Sequence, residues 1–181
     1  MLLSNYTFKI KLYIASILSV IIGILIDQYT KFLAVTHLKD APIPIIDGIF
    51  ELHYLENRGA AFGMLQNKQW FFLIVGTILL CAVTFLYIRM PASKRLLPLR
   101  ICIILITAGA IGNMIDRIRL NYVIDFLYFK LINFPIFNVA DIYVTVSTFV
   151  VIFLVLFYYK EEEIDELFHL ISWKREREQE W

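Results

Sequence analysis

Residues 70–88 read WFFLIVGTILLCAVTFLYI, an apolar run without a single charge. A bilayer core about 30 Å thick is crossed by about 20 apolar residues in a helix rising 1.5 Å each, so this run is long enough to span a membrane. Working outward, three more segments have the same character: residues 12–35, 100–117 and 142–159. The composition agrees. The 181 residues are 60% hydrophobic, with a mean hydropathy of +0.71, well above a soluble domain, and only 18% are charged. A single membrane domain covering residues 1–181 is expected.

The same composition excludes several classes. A net charge of +1 gives no basic face for phosphates, so no nucleic-acid partner is expected. Cys81 and Cys102 lie in apolar runs without CxxC spacing and read as small core residues. His37, His53 and His169 fall in separate segments without an HExxH pair, so no metal site is expected. The first apolar run is preceded by Lys9 and Lys11 but followed by Asp27 and Lys31, without an A-x-A-like site, and reads as a retained span instead of a cleaved signal peptide.

The loop between spans two and three carries Arg89, Lys94, Arg95 and Arg100 and no acid, which places it in the cytoplasm. Four spans then put both termini inside. The tail at 160–181 mixes basic and acidic residues and reads as a solvated charged helix or frayed end. Residues 36–69 and 118–140 fall outside. Around residues 45–55 apolar and polar side chains partly alternate between Pro44 and Gly59, which predicts short strands on the membrane surface, and Gly59-Ala60-Ala61-Phe62-Gly63 predicts a small-residue turn. The expected fold is an all-α membrane protein of four transmembrane helices, with a small extracytoplasmic β-cradle and a short interfacial helix.

Charged residues at span boundaries cost a few kcal/mol on insertion scales, so each is a functional candidate. Asp27 and Lys31, at i and i+4, read as a structural ion pair. Asn113 and Asp116 share a helix face and Arg117 is placed to brace a carboxylate; structure or substrate holding fits these three better than chemistry. Ala108 and Gly112 make one small-xxx-small step for tight helix packing. Asp125 and Asp141 are carboxylates in apolar surroundings at the outer edge, on either side of Pro135, so no one helix presents both. For either alone a cap or a surface charge is the default, and Asp141 stands where a helix N-terminus stabilises an anion.

Taken together, these segments resemble the lipoprotein signal peptidase (signal peptidase II) family over nearly the whole chain. The resemblance rests on Asp27-Gln28-Tyr29-Thr30-Lys31, Asn57-Arg58-Gly59-Ala60-Ala61-Phe62, Gly109 to Arg117, Val123-Ile124-Asp125-Phe126, and Phe134 to Asp141, in that order. Ala108 stands where many members have glycine, a mild change in packing. The resemblance implies a membrane aspartyl endopeptidase that removes signal peptides from bacterial prolipoproteins before a diacylglyceryl-modified cysteine. It implies that Asp125 and Asp141 are catalytic, that Asn57, Gly59, Asn113, Arg117 and Asn138 hold substrate or support the pair, and that Asp27, Lys31 and Asp116 are structural. Further implications are membrane lipid and cyclic peptide antibiotics of the globomycin type as ligands, a monomer in the bacterial cytoplasmic membrane with its site at the outer face, and no cofactor. Two adjacent carboxylates cannot both ionise cheaply, so one keeps a proton and the pair supplies a general base and a general acid. The rival reading is a non-enzymatic transporter subunit whose aspartates and arginine form an ion path; it would need no meeting of Asp125 with Asp141.

Overall fold

The computed structural model describes residues 2–59 and 64–171. Four helices are long and apolar enough to cross a membrane, with spans at Thr7–His37, Gln69–Arg89, Leu97–Leu120 and Val139–Tyr158. They belong to α1 (Leu2–His37), α2 (Gln69–Arg89), α3 (Leu97–Leu120) and α4 (Val139–Phe153), the last continued by a π-helical turn, Leu154–Tyr158. A fifth helix, α5 (Glu161–Ile171), occupies the start of the charged tail; residues 172–181 lie outside the described residues. The first three predicted spans fall inside the observed ones, and the fourth, 142–159, runs one residue past Tyr158.

Small residues let the helices approach. A Cβ on Gly109 would stand 2.5 Å from the Ala140 carbonyl oxygen, so glycine there sets the α3–α4 distance. Gly112 faces the Asp27 carboxylate in the same way, and Ala108 is fully buried against Gly23. Helix α2 has no buried residue. Cys81 is therefore an exposed, lipid-facing position and not the core residue expected, while Cys102 is buried.

Above the bundle three antiparallel strands form the cradle, in the order β1 (Ile43–Ile46), β2 (Phe50–Asn57), β3 (Val123–Phe129). A tight turn with Gly48 at φ +69° joins the first two, a conformation that suits glycine. The third strand was not legible as one, because Val123-Ile124-Asp125-Phe126 is too short and too uniformly apolar to show alternation. Its pairing with β2 reveals it, with Leu55 opposite Asp125 and Asn57 opposite Val123. Ala34 of α1 and Leu38, just past its end, pack with Ile124 and Phe126, so the end of the first span is the floor of the cradle. The helical piece of this segment is one 3-10 turn, Lys130–Ile132. The small-residue turn is described only at Gly59, because residues 60–63 lie outside the described residues.

At the opposite end Arg95, in the α2–α3 loop, grips Glu163 of α5 through Nε and Nη2 at 2.9 and 3.1 Å and stacks over the Tyr158 ring.

Candidate active site

Asp125 and Asp141 arrive from different directions and are joined by two asparagines. β3 carries Asp125 into the floor of the cradle, where it is 1% exposed. Its Oδ1 accepts from Asn138 Nδ2 at 2.7 Å and its Oδ2 from Asn57 Nδ2 at 2.8 Å. Asn57 lies diagonally across the β2–β3 ladder on the same face, which the register dictates. Its amide orientation is set from the other side, because its Oδ1 accepts from the Gly59 N–H at 3.0 Å. Gly59 is buried against the Met64 carbonyl, where a Cβ would collide.

Asp141 is half-buried at the start of α4. Asn138 is the N-cap: its Oδ1 accepts from the Asp141 N–H at 3.0 Å, and Asp141 Oδ2 accepts from the Asn138 N–H at 3.1 Å. This reciprocal box confirms the expected cap role and leaves Asp141 Oδ1 to accept from Asn113 Nδ2 at 2.8 Å. Asn138 Nδ2 also donates to Asn113 Oδ1 at 3.1 Å, so a continuous chain of amides links the two carboxylates. Burial, and next the charge of Asp141, push the Asp125 carboxyl up to about 7, so it holds a proton near neutrality.

Beneath the pair is a buried charge cluster. Lys31 Nζ lies 3.0 Å from Asp27, 2.9 Å from Asp116 and 2.9 Å from Asn113 Oδ1. The ion pair expected within α1 is thus a three-way strut between α1 and α3. Asp27 Oδ1 accepts from the Ala140 N–H at 3.0 Å, and Asp116 Oδ2 from the Ile124 N–H at 3.2 Å. The strut therefore grips α4 next to Asp141 and β3 next to Asp125. Sequence reasoning passed over Gln28, whose Nε2 donates to Asp116 Oδ1 at 3.0 Å and to the Gly112 carbonyl at 3.2 Å. The available signal was an uncharged polar residue between two charged ones inside an apolar span.

Arg117 departs from expectation. It braces no carboxylate: Nη1 donates to the Asn113 carbonyl at 3.3 Å, the guanidinium lies 4.7 Å from the Phe72 ring centroid, and Nε has no partner. Phe72 of α2 packs against the guanidinium, which feels the charges of Asp141, Asp125 and Asp116 without bonding to them.

Four membrane-crossing helices topped by a cradle that meets two carboxylates make the frame of a membrane peptidase. The model of the family described as signal peptidase (SPase) II matches residues 19–157, so the chain belongs to that family and is a multi-pass membrane protease. Among its relatives, the lipoprotein signal peptidase of Clostridioides difficile (strain 630) is 46% identical over 143 residues, covering 78% of this chain and 95% of the relative. That of Streptococcus pyogenes serotype M5 (strain Manfredo) is 42% identical over 148 residues, covering 81% and 94%. A bacterial membrane enzyme structure solved by the in meso method at 2.3 Å resolution superposes with a TM-score of 0.71 at 33% identity, covering 81% of this chain and 92% of that one. A second such structure, at 1.9 Å, gives 0.68 at 32% identity, covering 80% and 94%.

Proposed function

We propose that this chain is an aspartyl endopeptidase that cleaves bacterial prolipoproteins before the diacylglyceryl-modified cysteine, with Asp125 and Asp141 sharing one proton. The observation that carries the reading is the amide chain joining Asp125 to Asp141, together with the raised Asp125 carboxyl. The ionised member takes a proton from water as its oxygen attacks the scissile carbonyl carbon. The protonated member hydrogen-bonds the carbonyl oxygen, and the leaving amine takes from the pair the proton that was removed from water as the C–N bond breaks, which returns the pair to one shared proton. Acid and base belong to the pair and are not assigned to one residue.

Asn57, Gly59, Asn113 and Asn138 hold the carboxylates in place, and Asp27, Lys31 and Asp116 set the helix ends beneath them. Arg117, hydrogen-bonded to the Asn113 carbonyl and to no carboxylate, is available to a substrate carbonyl. The basic α2–α3 loop favours a cytoplasmic placement, with both termini inside and the cradle at the outer face of the bacterial membrane. There a substrate keeps its lipid tails in the bilayer while its peptide bond reaches water. One domain working as a monomer suffices, and a cyclic peptide of the globomycin type competes for the cradle.

Asp125→Asn and Asp141→Asn each change little in volume but remove a proton-transfer group, so each abolishes cleavage of a lipidated precursor while insertion persists. Glu162→Gln in α5 serves as the active control. Full activity in either aspartate variant overturns the pair.

A further inference from the structure

Helices α1 and α2 touch at the end away from the cradle and part from there. Ser16 Oγ and Tyr87 Oη share a short hydrogen bond, and Tyr13 Oη donates to the Ile88 carbonyl at 3.4 Å. Beyond this closure lies a groove of about 750 Å³, floored by α3 and lined among others by Ile17, Ile21, Thr84, Tyr87, Ile104 and Ile111. It belongs to the half of the bundle opposite the carboxylates. Along α1 it reaches from Tyr13 to Ile24, about 11 residues or about 16 Å, close to the depth of one bilayer leaflet at about 15 Å.

The closed end is basic. Arg100 is 1% exposed, with its guanidinium 4.6 Å from the centroid of the groove-lining Tyr87 ring. Its Nη2 donates to the Met90 and Pro91 carbonyls, but Nε and Nη1 have no partner. Lys9 lies over the Tyr13 ring at 5.8 Å. Among the described residues no carboxylate lines the groove, and Glu163 of α5 is committed to Arg95. A buried cation without a counter-charge is costly, and an anion brought to this end offsets it.

We propose that the groove seats one acyl chain of an anionic diacyl phospholipid from the leaflet opposite the cradle, with its phosphate beside Lys9 and the field of Arg100. A transmembrane peptide helix fits less well. The positive leader of a signal peptide is repelled by the basic end.

The test is native mass spectrometry of the protein released from vesicles of equimolar phosphatidylcholine and phosphatidylglycerol. One phosphatidylglycerol is expected to stay bound with about tenfold preference over phosphatidylcholine. Ile104→Trp, which fills the groove, abolishes this retention, and the surface change Lys9→Gln weakens it about fivefold. Equal retention of the two lipids, undiminished retention in Ile104→Trp, or displacement of the lipid by a cationic signal-peptide helix overturns the proposal.

Discussion

Replacing Lys31 with methionine keeps the length of the side chain and removes the charge at the centre of the buried strut. In the parent, the ammonium faces Asp116 at 2.9 Å and Asp27 at 3.0 Å, all three side chains being nearly inaccessible. At an effective dielectric of about 20, each contact is worth about 5 kcal/mol before desolvation is subtracted. Removing one partner of a buried ion pair costs about 3–5 kcal/mol net, because the remaining charges are stranded. Lys31→Met is therefore expected to lose about that much stability in sodium dodecyl sulfate titrations from mixed micelles followed by circular dichroism. The triple variant Asp27→Asn, Lys31→Met, Asp116→Asn strands no charge and should regain more than half of the loss. Its activity should stay low, because Lys31 also holds Asn113 Oδ1, and through it the amide that donates to Asp141. A Lys31→Met protein within about 0.5 kcal/mol of the parent would refute the strut, since that is the scale of a surface change.

Three further outcomes are expected. Because the Asp125 carboxyl keeps its proton up to about 7, kcat/KM should fall as pH rises through that value. Asn57→Leu removes a hydrogen bond that favours the carboxylate, so the proton is held to higher pH and the alkaline limb of the rate profile should move upward; an unmoved or lowered limb contradicts a proton shared by the pair. Gly109→Val drives a side chain into the Ala140 carbonyl and Val144, costing about 1–3 kcal/mol and parting α3 from α4; a thermal melt and precursor cleavage should both register the change.

Much of this protein was legible in one dimension. Predominantly apolar runs of span length mark all four helices, since a membrane leaves the backbone no other way to satisfy its polar groups. The motif residues were readable for the same reason: a charge or amide beside such a run is too costly to be incidental. Asp141 at a helix N-terminus was recognisable from its place immediately before the fourth apolar run. Strand β3 was not, because the strand it pairs with, β2, is far away in sequence, and pairing, not local pattern, defines it.

What the linear chain determined by itself is therefore the set of spans and the short roster of polar groups that can do chemistry, because both follow from the free energy of placing side chains in lipid. Only the folded arrangement decided who meets whom. Lys31 serves Asp116 and Asn113 as well as its helical neighbour, Gln28 joins the strut, and Arg117 lies on Phe72 instead of an aspartate. Those partnerships depend on helix rotation and spacing, which Gly109 and Gly112 set by letting α4 and the Asp27 carboxylate approach α3.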